Sequence, residues 1–235
     1  MQTTSTLYKK ILQDRSHAKE VKAIIAGVEY MRDRLISVST EACLLGTNGP
    51  GIGCAVSRQI DMEFYPNDGK IPDAAKIELY VRLCSDTLGV SEWIPQGVFY
   101  IDTRESDSEC GTLKIHGYDA LTAFANEPFL DQASGETGEW PRTMRSVAES
   151  ISARLYTTLD SRCVFNDAFQ ISYPSKYTCW ELLQHIAAAH AANWIITDAG
   201  KLRLIGLAEI PEETYNLIDE SGNAILIGGD RIYVG

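Results

Sequence analysis

Apolar and polar residues alternate through most of the first half of the chain. In AKIELYVRLC, Ile77, Leu79, Val81 and Leu83 alternate with Lys76, Glu78, Tyr80 and Arg82, a period of two that predicts a half-buried β-strand. VKAIIAGVEYM from Val21, RLISVSTEACLL from Arg34 and AVSRQIDMEFYP from Ala55 read as further strands. The stretch from Glu92 to Phe124 reads as a hairpin. Its first arm carries Val98, Phe99, Tyr100 and Ile101, its polar connection runs from Thr103 to Gly111, and its second arm sets Leu113 and Ile115 against Lys114 and His116. β-Branched and aromatic residues favour the arms, while Asp107, Ser108 and Gly111 supply turn chemistry. Asp119 then opens a helical turn. About six strands with short connections predict an antiparallel barrel or sandwich.

Elsewhere the period is helical. Ser5 to Arg15 predicts a short helix capped by Ser5, with Leu7, Ile11 and Leu12 as a partial stripe, too short to stand without docking. Asn126 to Pro141 is polar and bears Gly and Pro, so it predicts a crossing segment or domain boundary. Met144, Val147, Ala148, Ile151 and Leu155 then share one helical face. Thr178 and Glu181 form a capping-box pattern ahead of Leu182, Leu183 and Ile186. WIITD and KLRLIGL follow as a hairpin about Gly200. Residues 141–207 therefore predict a small α+β unit of two helices and a hairpin. Beyond Ala208, short strands are expected around Asn216 to Ile218 and from Ala224 to Val234. The division expected is a β domain over 1–125, an α+β insertion over 141–207, and strands of 208–235 returning to the β domain.

Charge and composition narrow the functions. Hydrophobic residues make up 45% and charged residues 23% of the 235, as in a folded domain and unlike a disordered chain. The 32 acidic residues exceed the 21 basic ones, giving −11, which disfavours DNA binding by charge. The six cysteines, Cys43, Cys54, Cys84, Cys110, Cys163 and Cys179, show no CxxC pair. The start lacks the apolar core of a signal peptide, so free thiols in a reducing cytoplasm are expected. No apolar run approaches the ~20 residues of a membrane span.

Candidate chemistry is sparse. The loop GTNGPGIG from Gly46 to Gly53 lacks the Lys-Ser/Thr ending of a P-loop and leads into a strand, so it reads as an inter-strand loop. Among His17, His116, His185 and His190, the last two share a helix but lie ~140° apart around it, unlike an HExxH pair. Asp102, Glu105, Asp107 and Glu109 straddle a turn and read as a wet hairpin tip. There is no GxSxG, and no cysteine has an activating setting. Trp93, Tyr100, Trp180 and Trp194 read as core or interface anchors. This reading assigns no catalytic, cofactor-binding or metal residue and no cofactor, and it expects no enzyme.

The phrases EWIPQGVFYIDTRESD and LKIHGYDAL, with Ile60 and Met62 in SRQIDMEF, resemble the amino-terminal region of tail hub proteins from siphophages and prophages of Gram-positive bacteria. That family includes the tail-associated lysins. The resemblance runs from LYKKIL at Leu7 to KLRLIGL at Leu207. It implies a tube-type β-barrel domain split by a small α+β insertion, in a homotrimeric ring at the distal end of the tail. The implied partners are the distal tail ring, the tape measure and tip or fibre proteins, with DNA only passing through the lumen, which the net charge of the chain is expected to make acidic. The implied location is the virion tail tip, after synthesis in the host cytoplasm. Tail-associated lysins carry a peptidoglycan-cleaving region after the hub, and this chain stops at Gly235 without one, so lytic activity is not expected of these residues. The rival expectation is a carbohydrate- or peptidoglycan-binding or cleaving module with Trp93, Tyr100 and the acidic hairpin as its pocket.

Overall fold

The computed structural model describes residues 4–42, 51–67, 70–130, 140–174 and 176–206, together with four two-residue strands beyond them. A helix, α1 (Thr6–Gln13), leads into the hairpin of β1 (Ala18–Ile25) and β2 (Val28–Tyr30), followed by β3 (Leu35–Ala42). The short β4 (Ala55–Val56) precedes β5 (Arg58–Phe64), β6 (Lys76–Ser85), the short β7 (Gly89–Val90) and the long hairpin of β8 (Ile94–Asp107) and β9 (Thr112–Tyr118).

The alternating stretches build one antiparallel sheet in the order β2-β1-β6-β8-β9-β5-β3, with β7 added to the end of β6. Its inward residues Ile60, Phe64, Ile77 and Phe99 are fully buried and pack with Tyr30, Met62, Ile101 and Ile115 into a core of their own. Among the described residues, β2 and β3 are the open ends of this path.

Three details depart from the periodicity. VKAIIAGVEYM is a hairpin rather than one strand, because Ala26 and Gly27 both take positive φ, 49° and 84°. Two left-handed residues in a row match the twist of a two-residue hairpin turn, and Ala26 offers no polar residue to announce it. AVSRQIDMEFYP breaks at Ser57, with Ala55–Val56 pairing β12 (Ala192–Ile196) while Arg58–Phe64 enters the large sheet. The hairpin predicted to turn from Thr103 keeps pairing to Asp107, past a register shift at Asp102. Asp107 then makes the turn by accepting the N–H groups of Glu109 and Cys110.

The remaining elements are α2 (Ala120–Phe124), β10 (Arg142–Thr143), α3 (Met144–Arg154), β11 (Gln170–Ile171), α4 (Cys179–Ala189), β12 and β13 (Leu202–Gly206). β12 pairs β13 antiparallel and β4 parallel. The capping box closes in both directions, Glu181 N–H to Thr178 Oγ1 at 3.1 Å and Thr178 N–H to the Glu181 carboxylate at 2.8 Å. A second core gathers Val147, Ile151, Leu155, Leu183, Ile186, Trp194 and Leu202, and it also takes Ala55, Ala120, Leu121, Ala125 and Phe129 from outside residues 141–207. Farther on, β14 (Tyr215–Asn216), β15 (Leu226–Ile227), β16 (Asp230–Arg231) and β17 (Tyr233–Val234) pair as β14 with β17 and β15 with β16. The class is mainly β, with a large antiparallel sheet and few helices. Cys54, Cys84, Cys110 and Cys163 carry free thiols, Cys179 is buried in the first turn of α4, and Cys43 lies outside the described residues.

Helix α1 buries only Ile11, so polar clamps at its two ends hold it. Ser5 donates its N–H and hydroxyl to the Glu92 carboxylate at 2.7 and 2.6 Å. Asp14 accepts from the Ser85 hydroxyl at 2.5 Å. That hydroxyl, helped by Ser16, lowers the Asp14 carboxyl from 3.8 to about 2. A depressed carboxylate contributes stability that is present above its unfolded value and lost as pH falls through its folded value. The urea midpoint of the native chain should therefore fall more steeply between about pH 4 and pH 2 than that of Asp14→Asn. Equal slopes for the two proteins would remove this role.

Candidate functional site

The residues singled out from the sequence end in separate places. His17 Nδ1 lies 2.6 Å from the Asp14 carbonyl, and His116 Nδ1 lies 2.8 Å from the Asp61 carboxylate across β5 and β9. The His185 ring stands edge-on to Tyr177. His190, at the end of α4, bonds the Ile186 carbonyl through Nδ1 and accepts the Asn166 N–H through Nε2. Among the described residues no group of three His, Cys, Asp or Glu is arranged to hold a metal. Asp102, Glu105 and Glu109 are exposed along the outer end of the β8–β9 hairpin.

Gly46 to Pro50 lie outside the described residues, but the end of the glycine loop is accounted for. Gly53 (φ 81°) sits against Ala188, where a Cβ would come within 2.8 Å of the Ala188 Cβ. Its N–H donates to Ala192, and Asn193 bonds both the Cys54 N–H and the Gly51 carbonyl. These amides are spent on closing the chain against α4 and β12. The aromatic residues also disperse. Trp93 has the Arg82 guanidinium 4.3 Å and the Lys22 ammonium 4.9 Å from its ring centre. Tyr100 packs edge-on to Phe124, Trp180 rests against the second core, and Trp194 is buried within it.

A cleft of about 790 Å³ lies between the large sheet and the β13-β12-β4 sheet. One wall is Trp93, Ile94 and Pro95 at the start of β8, beside Thr40 to Ala42 of β3. The other is the outward face of β12 and β13. Because Trp194 and Ile196 point into the second core, the alternation of the strand turns Ile195 toward the cleft.

Arg58 spans the floor. Its guanidinium donates to Asp198 at 2.6 Å and to the Gln96 carbonyl, and it stands 5.4 Å from the Phe99 ring centre. Its backbone N–H donates to the buried Asp119 at 2.8 Å. Asp119 also accepts the Ser57 hydroxyl and the Leu121 N–H, so one carboxylate fastens the β4–β5 break and caps α2. Burial pushes the Asp119 carboxyl above its usual range against the pull of those three donors. At the rim, Arg162 grips Asp160 at 2.8 and 2.7 Å and holds its carboxyl well below the usual range.

Arg58 and Asp198 neutralise each other, as do Arg162 and Asp160. Burial pushes the thiols of Cys84 and Cys163 up, so neither is a ready thiolate. Sequence reasoning found Asp119 as the opening of a helical turn but missed Arg58 and Asp198. These two lie 140 positions apart, and no local signal joins them.

This architecture defines a mainly β protein class in which a large antiparallel sheet carries a small α+β unit. It is found again in the 43 kDa tail protein of prophage MuSo2 from Shewanella oneidensis, with a TM-score of 0.55 at 12% identity over 82% of this chain and 57% of that one. The tail protein from Neisseria meningitidis MC58 is similar too, with a TM-score of 0.51 at 15% identity over 80% of this chain and 51% of that one. At such identities the likeness is one of fold. The chain spans little more than half the length of either protein. No family model matches the chain, and no curated protein matches it in sequence.

Proposed function

We propose that this chain is a structural protein of a phage tail, a hub that forms a trimeric ring at the distal end of the tail tube and joins it to tip proteins. The observation that carries the reading is the fold likeness to two tail proteins over four-fifths of the chain. The resemblance of the Glu92 to Phe124 stretch to tail hubs narrows it from tail protein to hub. In this reading residues 1–125 and 208–235 belong to the hub's β domain and 141–207 to the insertion; the large sheet has a core of its own, while the second core also takes Ala55, Ala120, Leu121, Ala125 and Phe129. The partners are copies of itself, the distal tail ring, the tape measure and tip or fibre proteins. The charge of −11 suits a lumen through which DNA slides without sticking. The place of action is the virion tail tip.

The rival reading, a sugar- or peptidoglycan-binding module, needs an open aromatic platform. Arg82 and Lys22 already stand over Trp93, and Tyr100 packs on Phe124.

Light scattering over a range of protein and salt concentrations tests the proposal, with particle images of the same sample. The expected result is a mass three times that of the chain and ring-shaped particles. A monomer at every concentration and salt would overturn the ring, and heat stabilisation by a peptidoglycan fragment would turn the reading to the rival.

A further inference from the structure

Charge is uneven along the large sheet, although Glu92, held by Ser5, and the exposed Asp86 share the α1 end with its cations. Residues 4–22 hold five cations, Lys9, Lys10, Arg15, Lys19 and Lys22, against Asp14 and Glu20, a net of +3 within a chain at −11. Lys22 is paired with Glu29, and Glu20 with Arg82. Lys9, Lys10, Arg15 and Lys19 are exposed and form no ion pair among the described residues. The β8–β9 tip is the reverse. Residues 102–114 hold Asp102, Glu105, Asp107 and Glu109 against Arg104 and Lys114, a net of −2. Arg104 is tied to Asp73 at 2.9 Å, whereas Asp102, Glu105 and Glu109 are exposed and without an ion pair among the described residues.

The two groups sit at opposite ends of the strands. Helix α1 ends against Ser85, the last residue of β6, through Asp14. The first residue of β6, Lys76, pairs with Tyr100, and β8 continues from there to Asp107. That is about 16 residues of strand, roughly 50 Å at ~3.3 Å each. A Debye length of about 8 Å at physiological salt keeps the ends from neutralising each other within one chain. Two chains can do so. Beside the cations, α1 leaves Leu12 54% exposed and the neighbouring β7 leaves Val90 48% exposed, apolar surface that a contact would cover.

We infer that the α1 end of one copy docks on the β8–β9 tip of a second copy. The contact is heterologous, an unlike pair of surfaces repeated from copy to copy, which closes into a ring where the rotation permits. Complementary charge speeds the encounter and rejects the wrong pairing of tip on tip. The inference rests on the self-assembling reading above and names the surfaces that carry it.

Sedimentation at low and high salt tests it with three variants: Lys9→Glu/Lys10→Glu, Glu105→Lys/Glu109→Lys, and the chain carrying all four changes. All four positions are exposed, and far-ultraviolet circular dichroism checks that each variant folds. Each double variant should weaken self-association about tenfold at low salt, and the four-fold variant should restore it, because the reversed signs match again. If the native chain assembles and either double variant assembles equally well, this contact is wrong while the ring stands. If both doubles are weakened but the four-fold variant is not rescued, the two surfaces do not meet. If the native chain never assembles, the ring itself fails.

Discussion

Replacing Trp194 with alanine should destabilise the protein by about 3–5 kcal/mol, the range for deleting a buried aromatic side chain and leaving its cavity. Trp194 has no exposed surface. Its indole N–H donates to the Leu183 carbonyl at 2.8 Å and so ties β12 to α4. Along the backbone it stands opposite Leu204 on β13 and Ala55 on β4. One side chain thus sits where three strands and a helix meet, and few neighbours are free to collapse inward. Trp194→Phe keeps most of the packing and loses the hydrogen bond, so a cost of about 1–2 kcal/mol is expected. Urea unfolding followed by circular dichroism measures both, since fluorescence would change with the residue itself. An alanine variant within about 1 kcal/mol of the native chain would show that the site repacks.

The local signals were the legible ones. The period of two from Ile77 to Leu83 became β6, and the helix caps at Ser5, Asp119 and Thr178 all formed. Each depends on residues a few positions apart, and backbone geometry within that span is set by sterics and capping bonds. The break at Ser57 was not legible. Ala55 to Phe64 carries no Gly, Pro or Asn to mark a turn, and the rule that divides it lies in partners far along the chain, Trp194 and Ile195 for β4 but Gly117 and Ile115 for β5. The turn at Ala26 and Gly27 was missed for the opposite reason. It is so short that the apolar run passes through it unbroken.

The cleft illustrates the same limit. Its wall residues Ile94, Ile195 and Ile205 read in sequence as ordinary strand interior, yet they line an opening between two sheets built from segments far apart in the chain. Trp93 lines the same cleft. The cations that stand over it come from β1 and β6, and only the sheet order brings them there. The opposed charges of α1 and the hairpin tip were visible as residues. That they lie at opposite ends became visible only with the register of β6 on β8.

Replacing Asp119 with alanine should cost about 3–5 kcal/mol, because three donors lose their acceptor at once: the Ser57 hydroxyl, the Arg58 N–H and the Leu121 N–H. Asp119 is 1% exposed, so water cannot replace it without opening the joint between β4, β5 and α2. Loss of the helix cap is part of the same sum, about 1 kcal/mol. Asp119→Asn keeps one acceptor oxygen and turns an NH₂ toward a remaining donor, so a smaller loss, about 1–3 kcal/mol, is expected. The pH dependence has the opposite sign to that of Asp14. Burial raises the folded value of Asp119, so the folded chain holds this proton more tightly than the unfolded chain does. The stability gained by protonation is full below the unfolded value and is lost as pH rises through the folded one. Between those values Asp119→Asn, which cannot titrate, should lose less stability with rising pH than the native chain. Urea midpoints of the two proteins across that acidic range would show the difference. A native chain that gains stability relative to Asp119→Asn as pH rises would mean that the three donors outweigh burial at this carboxylate.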